Sequence, residues 1–552
     1  MKKHLVSALM AGTLAVSTFT GCSSTAQAPV ASTEAQNTEA EDTQAQTSDT
    51  AEAAENSTKT EAERTPKYIF LFIGDGMSYP QVQLTNYFVS AANQDGKTAT
   101  VKGEEKSILS SKNQLTMMNF PIAGSAQTYD STSFTPDSAS TATSIATGHK
   151  TWSGSINVSE DFSQTYETIA EKLKKQKGYK IGILSSVNLN HATPAAFYAH
   201  QESRNSYYEI GEELIASDFD YFAGGGLKKV TGSEKDKESL YDLAEKAGYK
   251  VVKTQNEAEA LTAEDGKVIV IDEHLADSDA MSYELDRQDN EWALADYVEK
   301  GIEILDNDNG FFMMVEGGKI DWACHANDAA STIADTVALD NAVEKAVDFY
   351  KEHPDETLIL VTGDHETGGL TIGFAGTDYD TFLTNFENQK ISYAKFDSDY
   401  VAAYKENKTD FDTVMTDVTK LFGLTAPAAD AADAANQKDS ADLHPESEDT
   451  GVLEMTEYEY QLLKNAYDTT MTRTGEETEF GQEEYIKYGS YEPLTVTITH
   501  ILNNKSGINF GSYAHTGLPV EVLVQGVGAE TFDGYYDNTD IYNRLAALTG
   551  VN

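Results

Sequence analysis

The chain has 552 residues, 40% of them hydrophobic, and 90 acidic against 40 basic side chains give a formal charge of −50. That length and apolar content can sustain a single elaborated domain with a large core. The acid excess excludes a nucleic-acid partner, which needs clustered Lys and Arg, so any anionic substrate must be drawn by cations held locally.

Lys2 and Lys3, followed by the short apolar run Leu5 to Phe19, read as an export signal. The run is too short and too rich in small residues to span a membrane. It closes on Phe19-Thr20-Gly21-Cys22, which resembles a bacterial lipobox. Residues 1–22 are therefore expected to be a lipoprotein signal. Lipid on Cys22 would anchor the exported chain on the outer side of the cytoplasmic membrane; a plain signal peptide with an incidental cysteine is the alternative. Only Cys324 would then remain, so no intrachain disulfide is expected. Residues 23–65 are dominated by Ala, Ser, Thr, Glu and Gln and read as a disordered acidic tether. The folded domain is expected over 66–552.

Within it, Tyr68-Ile69-Phe70-Leu71-Phe72-Ile73 is a continuous apolar run of the kind that forms a central parallel strand. Further strands are predicted at Lys180–Leu184, Phe311–Val315, Thr357–Val361 and Val520–Val524, with helices between them, such as Ala329–Tyr350. The alternation predicts an α/β three-layer sandwich: a mostly parallel central sheet, helices on both faces, and surface insertions. Periodicity weakens over 376–509, read as a variable insertion that includes an acidic low-complexity loop at 426–450.

The strands end in acids and histidines. Asp75 follows the first, Glu316 the third, and Asp364-His365 the fourth, while His515 precedes the last. Ligand sites in open α/β sheets lie at the carboxyl ends of strands. Carboxylates gathered there repel one another unless cations hold them. Asp321 and His325, spaced i, i+4 at the start of a predicted helix, share a face and can grip one ion. Asp364 and His365 can present a second pair. Mixed Asp/His ligation suits Zn²⁺; Glu316 and Asp75, with a Thr hydroxyl and water, suit Mg²⁺. Singly, each of these residues would read as a cap or a surface polar group; their recurrence at strand ends favours a metal centre.

Ser138, in Asp137-Ser138-Ala139-Ser140-Thr141-Ala142, is the candidate nucleophile. A helix is predicted to open there and stop at Gly148, offering free N–H groups and a positive dipole end to phosphate oxygens. A capping role for the serine is the competing reading.

These stretches occur together with Ile73-Gly74-Asp75-Gly76-Met77, Ala192-Thr193-Pro194-Ala195, Val315-Glu316-Gly317, Thr362-Gly363-Asp364-His365 and His515-Thr516-Gly517. In that order, over about 67–376 and from about 512 to the end, they resemble the alkaline phosphatase family. The resemblance implies hydrolysis of phosphate monoesters to inorganic phosphate through a phosphoserine at Ser138, with two zinc ions and one magnesium ion per chain. It places one zinc on Asp321, His325 and His515, the other on Asp75, Asp364 and His365, and magnesium on Asp75, Thr193 and Glu316. Arg204 matches the arginine that clamps the substrate phosphate, which a guanidinium can do bidentately.

Two positions depart from the best-known bacterial pattern. His191 stands in place of an aspartate near magnesium, which puts the third metal's affinity in question. Trp322 stands in place of a lysine or histidine; it can wall the site, stack on an aromatic leaving group, or simply pack. Cys324, beside His325, reads as a buried inert thiol. The sequence leaves open a phosphodiesterase of the same superfamily, a surface lipoprotein that only captures phosphate or metal, and the oligomeric state, a homodimer included. It carries no dinucleotide fingerprint, since Tyr79 stands where Gly or Ala is needed, and no complete P-loop, since Ala91 replaces the first glycine.

Overall fold

The computed structural model describes residues 65–93, 98–101, 104–107, 114–428, 453–474 and 479–552. Cys22, the tether apart from Thr65, and the 426–450 loop from 429 onward lie outside the described residues.

A ten-stranded sheet organises the fold. Its strands, in chain order, are β1 (Tyr68–Gly74), β2 (Ile122–Gln127), β3 (Lys180–Ser185), β4 (Tyr221–Gly224), β5 (Lys250–Val252), β6 (Val268–Ile271), β7 (Phe311–Gly317), β8 (Thr357–Gly363), β9 (Val520–Gly526) and β10 (Tyr535–Asp537). Their spatial order is β10-β2-β9-β8-β1-β7-β3-β4-β6-β5. Only β9 runs against the rest, pairing antiparallel with β8 and β2. The five strands legible as apolar runs all form, each extended by one or two residues at its carboxyl end.

The sheet is covered on both faces, which is why its central strands are apolar throughout. Tyr68, Phe70 and Phe72 of β1 enter one core layer with the helices Leu294–Leu305 and Ala329–Glu352. Ile69, Leu71 and Ile73 enter the other, with the helices Ser138–Thr147, Ile169–Lys177 and Thr539–Thr549. The sandwich expected from the alternation of elements is thus formed. Residues 376–509 carry the helices Phe411–Phe422, Glu457–Thr470, Gln482–Tyr488 and Pro493–Lys505. Val414, Val418, Leu494 and Ile498 from this stretch pack into the layer that holds Phe70 and Phe72.

Candidate metal centre

Strand register builds the site. Gly74 pairs with both Gly363 and Gly317, and Ile73 with Glu316, so β1, β7 and β8 end level. Asp75, Glu316 and Asp364 therefore meet in one pocket, each with no exposed surface. Gly76 makes the turn after Asp75 at φ +71°, and its N–H donates to Asp364 Oδ1 at 3.1 Å. A Cβ at Gly76 would lie 2.9 Å from the Asp321 backbone, so only glycine allows this approach.

One candidate set gathers Asp321, His325 and His515. His325 Nε2 and His515 Nε2 face each other at 3.1 Å and lie 3.4 and 3.6 Å from Asp321 Oδ1. Each imidazole's other nitrogen meets a backbone carbonyl, Tyr513 O at 2.6 Å and Pro136 O at 2.5 Å. A carbonyl only accepts, so both Nδ1 atoms carry a hydrogen, which leaves both Nε2 atoms to act as ligands to a cation. Two ring nitrogens and a carboxylate oxygen converging on one point suit a shared cation between them. Ligands about 2.1 Å from a tetrahedral zinc stand about 3.4 Å apart, and this triangle fits that spacing.

The second set surrounds Ser138. His365 Nε2 lies 3.4 Å from both Asp75 Oδ1 and Asp364 Oδ2. Ser138 Oγ lies 3.1 Å from that nitrogen and 3.5 Å from Asp75 Oδ1. Thr367 fixes the tautomer: its hydroxyl donates to Asp321 Oδ1 at 2.6 Å and so accepts from His365 Nδ1 at 3.3 Å. The rings of His365 and His515 stack at 3.7 Å, placing the two sets side by side. His365 falls within 4.8 Å of Asp321 and His515 as well as of Asp75 and Asp364.

A third group of oxygens lies behind Asp75. Asp75 Oδ2, Glu316 Oε1 and Thr193 Oγ1 are buried without a hydrogen-bond partner. Orphaned buried oxygens are costly, and this all-oxygen donor set fits a hard cation such as Mg²⁺. Glu316 Oε2 accepts from Ser185 on the adjoining strand.

The electrostatics agree. Burial, then the neighbouring carboxylates, pushes Asp75 and Asp364 well above the usual carboxylate range. Burial takes Glu316 up to about 7, and it pulls His365 and His515 down. Asp321 alone is held low, against its burial, by the imidazoles of His325, His515 and His365. Divalent cations reverse this pressure by favouring ionised carboxylates and neutral imidazoles.

The side around Ser138 and Arg204 is built differently. Asp137, not Ser138, caps the helix Ser138–Thr147, its Oδ1 accepting from the Ser140 amide at 3.1 Å. That frees Ser138 as the first helical residue, at the positive end of the helix dipole. Asp137 Oδ2 accepts from Arg204 Nη1 at 2.9 Å, and its Oδ1 also accepts from the Gly154 amide at 2.8 Å. Arg204 Nη2 stands 3.5 Å from His191 Nε2. His191 meets the edge of Trp322 at 6.0 Å between ring centres, and its Nδ1 is buried without a partner. Burial, then the charge of Arg204, keeps His191 neutral. Cys324 is buried between Gln81 and Thr332, and burial raises its thiol, consistent with an inert role.

Sequence reading missed Asp137, Thr367 and Lys319. Asp137 carried a signal, since Asp immediately before a predicted helix start is a preferred N-cap residue. Thr367 carried none, because its role depends on a contact to Asp321 across 46 residues. Lys319 is fully buried, bonded to Asp277 at 2.6 Å, with its ammonium 4.6 Å from the centre of the Trp322 ring. Nothing about an isolated lysine foretells that position.

The comparisons with known proteins converge. The sequence profile of the family "Alkaline phosphatase" matches residues 66–551. Alkaline phosphatase 3 of Bacillus subtilis is 27% identical over 502 residues, covering 89% of this chain and 90% of the relative. The cold-active alkaline phosphatase from a psychrophilic Shewanella superposes with a TM-score of 0.64 at 26% identity, covering 87% of this chain and 99% of its own. The Thermus thermophilus alkaline phosphatase superposes with a TM-score of 0.67, covering 89% and 92%; at 21% identity it speaks to the fold alone.

Proposed function

The chain belongs to the alkaline phosphatase family of metal-dependent phosphate monoester hydrolases, and from that premise we propose that its reaction runs through a phosphoserine at Ser138 with two zinc ions and one magnesium ion. The observation that carries this reading is the convergence at the strand ends of three histidines with fixed Nδ1 partners and four buried carboxylates, with Ser138 Oγ 3.1 Å from His365 Nε2. Asp321, His325 and His515 would hold one zinc, Asp75, Asp364 and His365 the other, and Asp75, Thr193 and Glu316 the magnesium. Bound there, the ions would supply Lewis acidity that favours an ionised serine and stabilises the departing oxygen.

The chain's own groups do the rest. Asp137 holds Arg204 so that its guanidinium can take two phosphoryl oxygens bidentately. Ser138 Oγ attacks phosphorus, the alcohol leaves, and water then cleaves the phosphoserine to release inorganic phosphate. A monoester carries three non-bridging phosphoryl oxygens, one more than a diester, so two can go to Arg204 while a third would remain for the cations. The helix N-terminus and Arg204 supply a positive field that a chain of charge −50 otherwise lacks, and bound ions would add to it.

The test is reconstitution. Chelation should abolish turnover of 4-nitrophenyl phosphate, and Zn²⁺ with Mg²⁺ should restore it; metal analysis should find zinc and magnesium near two to one. Full activity after rigorous metal removal would refute the mechanism. Export and anchoring rest on the lipobox at Cys22; among the described residues no helix is long and apolar enough to cross a membrane. Cys22→Ser should release active enzyme from membranes. A variant that stays bound through a salt wash would refute the lipid anchor.

A further inference from the structure

In this acidic chain most buried or half-buried lysines reach a carboxylate, as Lys150, Lys174, Lys319 and Lys405 do at 2.6–3.0 Å. Lys228 is different. It is half-buried, its ammonium lies 5.1 Å from the centre of the Tyr207 ring, and among the described residues it forms no ion pair. Of the acids that act on it from farther off, Asp277 is already bonded to Lys319.

Its position is fixed by Asn190, which is fully buried. The Lys228 amide donates to Asn190 Oδ1 at 2.8 Å, and Asn190 Nδ2 donates to the carbonyls of Lys228 and Tyr207 at 3.0 and 2.8 Å. One asparagine therefore ties Lys228 to the start of the helix Tyr207–Ala216, three residues beyond Arg204, and itself adjoins His191. Burial and the like charge of Arg204 both oppose protonation of Lys228. Arg204 is paired with Asp137, Asp279 and Asp277 reach Lys228 only from farther off, and a bound anion would offset the remaining repulsion between the two cations.

We propose that Lys228 is a second anion-binding point beside the phosphate clamp, so that the preferred substrates are phosphate monoesters whose leaving group carries a further carboxylate or phosphate. This rests on the reading of Arg204 as the clamp. A Lys ammonium is a compact point charge that binds either anion, so the experiment includes both.

Wild type, Lys228→Gln, Lys228→Arg and Lys229→Gln are compared at low ionic strength on phenyl phosphate, 3-carboxyphenyl phosphate and pyrophosphate. Lys229 is the exposed neighbour and serves as control. Wild type should favour at least one doubly anionic substrate over phenyl phosphate in kcat/KM. Lys228→Gln should lower that ratio about three- to fivefold, through KM, as expected for one partly exposed ion pair. Lys228→Arg and Lys229→Gln should keep it, and added salt should erase it in wild type. An unchanged ratio in Lys228→Gln, or no preference in wild type, overturns the proposal while leaving the phosphatase reading standing. Failure of wild type to hydrolyse any of the three overturns both.

Discussion

The two halves of the site solve opposite electrostatic problems. On the metal side, Asp75, Glu316, Asp321 and Asp364 are buried among imidazoles, with three orphaned oxygens and two ring nitrogens facing each other at 3.1 Å. On the side around Arg204, two cations have carboxylate partners: Arg204 has Asp137, and His200 lies between Glu171 and Glu213 at 3.5 Å from each. One half gathers unpaired oxygens and nitrogens that divalent cations would satisfy; in the other, Arg204 is already held by Asp137 as folded. Metal loss should therefore loosen the strand ends and leave the Arg204 segment in place.

Ser138 stands where the halves meet, and its removal has the largest expected effect. Ser138→Ala should lower kcat by roughly a thousandfold or more, retain its metals, and leave a residual activity of water attacking directly. Acid quenching of the wild type during turnover should trap phosphate on Ser138; phosphate on any other residue would sink the assignment.

Asp137→Ala breaks the phosphate side alone. Arg204 loses its 2.9 Å partner and the helix loses its cap. We expect kcat/KM to fall about 10- to 100-fold with metal content unchanged. Loss of zinc in this variant would show that the halves are not independent. Thr367→Val is the converse. It removes the hydroxyl shared by Asp321 and His365 and should weaken zinc binding about 10- to 100-fold while sparing Arg204. Competition with a zinc chelator measures it; an unchanged affinity would refute the role.

A pH test separates the halves further. Burial works against charge on His200, but Glu171 and Glu213 outweigh it and push its pKa up to about 10. A folded pKa above the unfolded value of about 6.5 gives stability that is complete below pH 6.5. That stability is lost as pH rises toward 10. His200→Gln should lower the thermal midpoint at pH 7 and flatten its fall between pH 7 and 10. Parallel curves for variant and wild type would exclude this pair as the cause.

The smallest effect is expected at the boundary. His191 turns Nε2 to Arg204 and leaves Nδ1 without a partner. A carboxylate there would suit a hard ion better than neutral imidazole. His191→Asp should lower the Mg²⁺ needed to reactivate chelated, zinc-reloaded enzyme by about tenfold or less. Superimposable titrations would mean that His191 only packs against Trp322.

Much of this was legible in the sequence, and for definite reasons. A strand buried on both faces must be apolar along its length, so β1, β3, β7, β8 and β9 announced themselves as runs, and acids at their ends stood out against them. The spacing of Asp321 and His325 already put both on one helical face. The short strands β4, β5, β6 and β10 did not show, because three or four residues carry too little pattern; neighbours already in the sheet recruit them. Nor did the helices of 376–509, whose apolar residues make sense only against the core they enter. What the sequence determined by itself was the list of reactive groups and the layered fold that carries them, because both depend on residue type and local period. What only the tertiary structure decided was which atoms face one another: which nitrogen of each histidine is free, which oxygens are orphaned, that Asp137 holds Arg204 and that Lys228 stands unpaired. Those relations are set by carbonyls and hydroxyls such as Pro136 O, Tyr513 O and Thr367 Oγ1, whose partners lie tens to hundreds of residues away and leave no local pattern to read.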